Sequence, residues 1–315
     1  MVVTRSDLFD SPDHYLHSFD DENAVFVPMD RAAYHRSIFL DARISPAANG
    51  SIRLPLERLE AEGAFKPIGW IFHLAHCGST LLARALDDLK TNLVLREPMC
   101  LRDVALDYRP ARVALVKAML GKRYRAGAPS LVKASVPVNF ILPQLLTDAG
   151  DVRAIFLHCP LRDYLLAILR TPGHRDWIAR VTRLLASHLG DLTALTDAER
   201  GAALWLAQMR AFDQAMARNP ATVSLDCEIF FGTPRSALAA AAAYFEVEMT
   251  DVAIEQTVAG PLFATHAKRP AQRFDNAARL ERRIELQHEL APELDRAESW
   301  VRQAGGGLLL PRPLS

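Results

Sequence analysis

A short apolar run, a turn with one glycine and a second apolar run follow one another in Trp70-Ile71-Phe72-His73-Leu74-Ala75-His76-Cys77-Gly78-Ser79-Thr80-Leu81-Leu82. The first run is continuous, as in a buried strand, whereas the apolar residues at 81–89 recur at helical spacing. The free N–H groups and partial positive charge of a helix N-terminus make such a turn suitable for binding an anion. The alternative is a plain strand–helix turn in which Ser79 caps the helix.

The same alternation continues along the chain. Further strand-like runs occur at 93–95, 131–133, 152–157 and 222–225. Helical patterns lie between them and follow them: one begins at Pro137, one near Leu161, one behind a Thr196–Glu199 capping box, one at Thr233-Pro234, and a charged one at 275–303. Strands that alternate with helices are typical of a parallel sheet covered by helices. We therefore expect a three-layer α/β/α fold with a mostly parallel sheet.

The composition does not divide the chain after residue 69. Residues 1–65 are less regular, and we expect an irregular N-terminal extension packed on the core, followed by a single α/β domain with C-terminal helices at 66–315. A chain of 315 residues can bury roughly three quarters of its unfolded surface.

Charge and cysteine content exclude several classes of protein. The 37 Lys and Arg residues balance the 37 Asp and Glu residues, which argues against a nucleic-acid partner because binding to polyanions requires a basic excess. The four cysteines form no C-x-x-C pair, which argues against a disulfide scaffold or a zinc ribbon. The longest nearly apolar stretch, 237–245, is much shorter than the roughly 20 residues of a membrane span. We expect a cytoplasmic protein with reduced thiols and no membrane span.

The turn is not a Walker A loop, because no lysine follows Gly78. This absence argues against hydrolysis of ATP or GTP with magnesium and against a phosphotransferase. Its frame, His76-Cys77-Gly78-Ser79-Thr80-Leu81-Leu82, instead resembles the donor-binding turn of the sulfotransferases, [Lys/Arg]-Ser-Gly-Thr-Thr-x-Leu.

Further segments resemble sulfotransferase motifs in the same order: Lys133-Ala134-Ser135-Val136-Pro137, then His158-Cys159-Pro160-Leu161-Arg162-Asp163, then Leu225-Asp226-Cys227-Glu228 with Thr233-Pro234. Arg96-Glu97-Pro98 is similar to a segment of bacterial members. The resemblance covers 69–245 and is that of a divergent bacterial-type member. It implies a P-loop NTPase-like fold, the donor PAPS, the product PAP, and transfer of a sulfuryl group to a hydroxyl of a small molecule, carbohydrate or peptide.

The resemblance also implies which residues bind the donor: His76, Cys77, Gly78, Ser79, Thr80, His158 and Arg162. Arg162 is the implied ligand of the 3′-phosphate. His76 and His158 stand where the family has stronger cations, so we expect donor binding to weaken as the pH rises above about 7. The loop at 266–269, His-Ala-Lys-Arg, falls where sulfotransferases place a basic loop that closes over the donor.

Catalysis is expected to depend on Glu97 and Lys133. The histidine base of the family is replaced by Ser135, which leaves Glu97 as the general base and Lys133 as the cation that neutralises the transferred group. The alternatives are a solvated cap for Glu97 and a surface lysine for Lys133. We expect the acceptor pocket to be walled by the N-terminal part and the helices after Arg170.

A second interpretation is a non-catalytic nucleotide- or anion-binding protein, either a pseudoenzyme or an interaction module, in which the fold persists without transfer. A mixed zinc site is chemically possible at the ends of the first and fourth strands, where His73, His76, Cys77, His158 and Cys159 could converge. Because side chains alternate in direction along a strand, we expect no metal.

Overall fold

The architecture is that of a computed structural model, which describes residues 4–59, 66–146 and 152–314. These residues form the strands β1 (His14–Asp20), β2 (Asn23–Pro28), β3 (Ile52–Pro55), β4 (Ile68–His73), β5 (Leu93–Arg96), β6 (Ser130–Lys133), β7 (Ala154–His158), β8 (Thr222–Asp226), β9 (Thr265–His266) and β10 (Arg269–Arg273).

The helices are α1 (Arg5–Asp10), α2 (Arg31–Arg36), α3 (Ser79–Ala85), α4 (Met99–Leu106), α5 (Pro110–Leu120), α6 (Leu142–Leu145), α7 (Leu161–Leu169), α8 (Pro172–Leu184), α9 (Ala186–Leu189), α10 (Asp197–Arg218), α11 (Cys227–Gly232), α12 (Pro234–Tyr244), α13 (Asp251–Ala259), α14 (Pro261–Ala264), α15 (Asn276–Glu289) and α16 (Ala291–Gln303). Two 3-10 helices lie at Leu56–Arg58 and Val136–Phe140. None of the described helices combines the length and apolar character that crossing a bilayer requires.

Five parallel strands form the central sheet in the order β5-β6-β4-β7-β8. Phe72 stacks on Phe156, which contacts Phe212 of α10 on one face. Gly69 points to the opposite face, where a Cβ atom would lie 2.7 Å from the Phe245 ring at the end of α12. Helices thus cover both faces, and the predicted three-layer fold with a mostly parallel sheet is confirmed.

The N-terminal part is more regular than the sequence predicts. β1, β2 and β3 form an antiparallel sheet, and its buried side chains, among them Leu16 and Phe26, belong to the same hydrophobic core as the central sheet. The expected irregular extension is therefore wrong in its secondary structure. Positions 60–65, within its expected range, lie outside the described residues.

Two predicted helices are each divided into two pieces. The pattern that starts at Pro137 becomes a 3-10 helix and the short α6, and the pattern at 275–303 becomes α15 and α16 with a break at Leu290. Pro143 and Pro292 lie in the first turns of α6 and α16. Because proline has no N–H to donate to the preceding turn, a continuous helix is interrupted there.

Arg96 joins the N-terminal part to the central sheet. Its guanidinium, 1 % exposed, donates to Asp87 Oδ2 (2.6 Å) and to the backbone carbonyls of Tyr34 (2.7 Å) and Ser37 (2.6 Å). Burial raises the pKa of Asp87, but hydrogen bonding to His35 and the charges of Arg96 and Arg31 outweigh it and lower that pKa to about 2. A single buried arginine therefore neutralises Asp87 and satisfies carbonyls of the segment around α2.

Replacing Arg96 by leucine is expected to lower the free energy of unfolding by about 3–5 kcal/mol, because Asp87 and several carbonyls lose a buried partner. Urea denaturation measures this change. Arg102, exposed on α4, is the matched control, and Arg102→Leu should alter stability by less than about 0.5 kcal/mol. Equal effects of the two substitutions would contradict the anchoring role of Arg96.

Candidate functional site

A cavity of about 520 Å³ lies at the carboxyl edge of the central sheet. Its wall combines the turn after β4 with α7, α11, the β9–β10 hairpin and α15. β4 is the strand at which the chain reverses its winding direction, because β5 and β6 lie on one side of it and β7 and β8 on the other. Ligands of open α/β sheets bind at such reversal points, which agrees with the position of the cavity.

The turn between β4 and α3 has an unusual backbone. Ala75, His76 and Gly78 have φ angles of 77°, 53° and 86°, all in the left-handed region. A Cβ atom on residue 78 would lie 2.8 Å from the Phe231 ring, so both space and conformation require glycine there. The N–H of Ala75 donates to His73 Nδ1 (2.9 Å). Successive amides in such a conformation form a concave site for anions.

The start of α3 carries no side-chain cap. Gly78 is the N-cap, without a side-chain hydrogen bond, so the alternative in which Ser79 caps the helix is wrong. The hydroxyl of Thr80, in the cavity wall, is buried and has no hydrogen-bond partner among the described residues. Donors of the turn thus remain available for a ligand.

Six basic side chains line one end of the cavity. This basic cluster consists of His76 from the turn, Arg170 and His174 from the junction of α7 and α8, and His266, Lys268 and Arg269 from the hairpin. The rings of His76 and His174 lie 4.9 Å apart, and Arg170 Nη2 lies 3.3 Å from His174 Nε2. Within the described part of the chain, no carboxylate forms an ion pair with a member of the cluster.

Burial and the neighbouring cations lower the pKa of all three histidines of the cluster, to about 4 for His174. The histidines are therefore uncharged at neutral pH in this arrangement, and the cluster's charge comes from Arg170, Lys268 and Arg269. The lowered pKa of His76 places its loss of charge in this structure at lower pH, and the expected weakening of donor binding above about pH 7 stays a prediction.

Another part of the cavity wall contains paired charges. Arg279 donates to both oxygens of Glu228 (2.7 and 2.8 Å), and Arg283 contacts Asp163 (2.6 Å) and Glu228 (3.2 Å). Arg279 also lies over the Phe231 ring, 4.4 Å from its centroid. These ion pairs attach α15 to α7 and α11 across the cavity.

The structure brings only part of the predicted donor site together. His76, Gly78, Ser79 and Thr80 line the cavity, whereas Cys77 is buried beneath it and its thiol donates to Leu157 O (3.6 Å). Cys77 therefore acts in the fold of the turn.

The structure places Arg162 and His158 outside the cavity wall. Arg162 faces α16, where it donates to Glu298 (2.8 Å) and Asp295 (3.3 Å). Because α7 begins at Leu161, its turn directs the next residue, Asp163, to the cavity instead. His158 ends β7, where burial lowers its pKa and Asp226 opposes this shift. The expected role of Arg162 as an anion ligand is not supported by this geometry.

The structure brings the predicted catalytic residues Glu97 and Lys133 together, but they form an ion pair with each other. Lys133 is 0 % exposed and forms an ion pair with Glu97, whose side chain is 19 % exposed. Burial raises the pKa of Glu97, but the charges of Lys133 and Lys268 outweigh it, so the pKa lies below its ordinary value. Lys133 is therefore not a surface lysine, Glu97 is not a solvated cap, and neither residue lines the cavity wall.

Lys268 lies between the cavity and the ion pair of Glu97 and Lys133, since it lines the cavity and its charge acts on Glu97. Its Nζ lies 6.0 Å from the Phe39 ring centroid, which is 5.7 Å from Lys133 Nζ. Desolvation lowers the pKa of Lys268, and the charge of Glu97 opposes this shift. The basic loop at 266–269 was indicated by the sequence, whereas Arg170 and His174 follow no motif and were missed.

Comparison with protein-family models gives no match, and neither does comparison with the sequences of curated proteins. Among solved structures, the chain is similar to the sulfotransferase domain from the curacin biosynthetic pathway, with 11 % identity, a TM-score of 0.46, and coverage of 79 % of this chain and 100 % of that one. It is also similar to a sulfotransferase from Alicyclobacillus acidocaldarius, with 14 % identity, a TM-score of 0.40, and coverage of 76 % and 97 %. Both are members of the family that the motifs resemble. The fold class itself rests on the strand order of the sheet.

Because Lys133 is buried and Glu97 is partly exposed, we expect substitutions of the two residues to lower the free energy of unfolding by different amounts. Glu97→Ala should lower the free energy of unfolding by about 3–5 kcal/mol, because it leaves the Lys133 ammonium buried without a counter-charge. Lys133→Met should cost at least about 1 kcal/mol less, because water reaches the remaining carboxylate. Urea denaturation of both variants gives the comparison.

The double variant Glu97→Ala/Lys133→Met serves as the control for this pair. It should be more stable than Glu97→Ala alone, because no unpaired charge remains. Additive losses in the double variant would show that the ion pair contributes nothing to stability.

Proposed function

We propose that the protein is a sulfotransferase that binds PAPS in the cavity and transfers its sulfuryl group to a hydroxyl acceptor. The observation that carries this proposal is the basic cluster beside the glycine turn, which offers one anionic ligand several cations, none of them ion-paired to a carboxylate among the described residues. The order of the sequence motifs from residue 69 to residue 245 supports the same function.

The cavity fits a nucleotide of this class. Its volume of about 520 Å³ lies within the range of pockets for small organic ligands. The left-handed turn and the hydroxyl of Thr80, which has no partner among the described residues, suit a phosphosulfate. The cations of the basic cluster suit a second phosphate. Phe231 and Phe263 in the wall offer apolar contact to a base.

When bound, PAPS supplies the sulfuryl group and leaves as PAP. The turn amides and Lys268 would neutralise charge on the phosphate that leaves. Glu97, ionised because Lys133 and Lys268 lower its pKa, would accept the proton of the acceptor hydroxyl. Lys133 is fully buried and would act as a positioning residue, so that Lys268 takes the neutralising role expected of Lys133.

The acceptor would approach Glu97 from the N-terminal part. Arg43 lies 4.0 Å from Glu97 and stacks over Phe39 at 3.9 Å from the ring centroid. Both residues precede β3, so the segment between α2 and β3 would border the acceptor. A hydroxyl on a small molecule, a carbohydrate or a peptide is the substrate class that we propose.

A non-catalytic nucleotide-binding protein is the second candidate. The ion pair between Glu97 and Lys133 favours it, because a carboxylate with a lowered pKa is a weaker base. Measurements of ligand binding and turnover distinguish the two candidates.

PAP and PAPS are expected to raise the melting temperature by about 5 °C at a hundredfold excess over Kd, since a ligand of the native state stabilises it by mass action. ATP and AMP at equal ionic strength should raise it much less. A differential scanning measurement tests this. No response to PAP or PAPS would rule out both the proposed donor and the proposed enzymatic activity.

Two arginines of the same hairpin provide a matched pair of variants. Arg269 lines the cavity, whereas Arg273 is exposed outside the described wall. Arg269→Ala should weaken PAP binding roughly tenfold, because it removes one charged hydrogen bond, and Arg273→Ala should leave the affinity unchanged. Isothermal titration calorimetry measures both constants. Equal affinities of the two variants would place the anion elsewhere.

Glu97→Gln should abolish formation of PAP from PAPS in a mixture of phenols and alcohols while preserving the thermal response to PAP. The retained response shows that the variant is folded. Turnover equal to that of the wild type would remove Glu97 as the base, and absence of turnover in the wild type with retained PAP binding would favour the non-catalytic candidate.

A further inference from the structure

Arg170 and His174 form a hydrogen-bonded pair inside the cavity. Arg170 Nη2 donates to His174 Nε2 over 3.3 Å. His174 Nδ1 lies within hydrogen-bond distance of the Thr171 hydroxyl, which also accepts the backbone N–H of His174. Because Nε2 accepts from Arg170, the imidazole is neutral and carries its proton on Nδ1. The hydrogen bond thus requires an uncharged His174.

Among the described residues, the charged side chains that act on this pair are basic, and Glu285 and Glu289 of α15 pair with Arg282 instead. His76 of the turn, and His266, Lys268 and Arg269 of the hairpin, face His174, while Arg282 of α15 acts on Arg170. Arg175, the next residue of α8, is already paired with Glu293 of α16 and Asp197 of α10. No carboxylate among the described residues contacts Arg170 or His174. Arg170, which is partly buried, therefore donates to a neutral ring and not to an anion.

We propose that Arg170 and His174 form a proton-coupled anion clamp: an entering phosphate or sulfate group displaces the Arg170–His174 hydrogen bond, Arg170 binds the anion, and His174 takes up a proton from solvent at Nε2 to donate to it as well. For each anion bound, His174 takes up at most one proton from solvent. No covalent bond between heavy atoms forms or breaks. The ligand class is a phosphate- or sulfate-bearing anion.

Two features favour this exchange over a static contact. A protonated Nε2 and the Arg170 guanidinium repel each other at 3.3 Å, so protonation requires the arginine to turn to another acceptor. Burial and nearby cations lower the pKa of His174 to about 4, and an anion between the two side chains reverses that effect because it stabilises the charged form. Affinity therefore rises as the pH falls from 7.5 towards the acidic range.

The clamp rests on the cavity of the proposed function but not on its nucleotide. The test uses two probes, PAP and inorganic pyrophosphate, in isothermal titration calorimetry at pH 6.5 in buffers of different ionisation enthalpy, which gives the protons taken up per ligand bound. The free probe titrates alike in every experiment, so a difference in proton uptake between the wild type and a variant reports the effect of the substituted side chain on the complex.

The wild type should take up about half a proton more per PAP than His174→Gln, and Arg170→Gln should weaken binding roughly tenfold or more. His288→Gln, on the exposed face of α15 outside the cavity wall, should match the wild type in both. Melting curves establish that each variant is folded. His174→Gln tests the proton uptake and Arg170→Gln tests the binding of the anion.

Equal proton uptake in the wild type and His174→Gln would overturn the proposal, as would unchanged affinity in Arg170→Gln. Binding of pyrophosphate with uptake that depends on His174, but no binding of PAP, would leave the clamp standing and remove the nucleotide donor. Failure of both probes to bind would overturn the clamp and the proposed function together.

Discussion

The reversal of winding direction at β4 is the constraint on which the site depends. β4 pairs with β6 on one side and β7 on the other, all in parallel, so the helices that follow neighbouring strands diverge above its carboxyl end. The turn after β4 fills this gap with a left-handed backbone. The buried His73 supports it through Nδ1, and Asn139 donates to the carbonyl of His73.

Charged side chains at the carboxyl edge of the sheet are paired near the ends of β5 and β6 but not in the basic cluster of the cavity. The buried Asp87 and the partly exposed Glu97 each have basic partners: Arg96 and Arg31 for Asp87 and Lys133 for Glu97. These pairs hold the N-terminal part and the ends of β5 and β6. The basic cluster contains no such carboxylate among the described residues. Cations without counter-charges repel one another, so the basic cluster destabilises the folded protein electrostatically, and a bound anion would reduce this repulsion.

Local pattern was enough to predict the sheet, because continuous apolar runs such as those of β4 and β7 are typical of strands buried on both faces. It also identified the turn and the basic hairpin loop. It misplaced Arg162, since a shift of one residue along α7 decides whether a side chain faces α16 or the cavity. Arg170 and His174 could not be found in this way, because their neighbours in space come from the turn and from the hairpin about a hundred residues away.

The attachment of α15 has a consequence for handling the protein. This helix borders the cavity, where Arg279 and Arg283 form ion pairs with Glu228 and Asp163 and the side chain of Leu286 is buried, whereas its Leu280 and Ile284 side chains are exposed to solvent. Partly exposed ion pairs weaken as the ionic strength rises, unlike apolar contacts. A concentrated salt wash should therefore loosen the helix and speed the exchange of any nucleotide carried through purification, whereas dilute buffers should retain it.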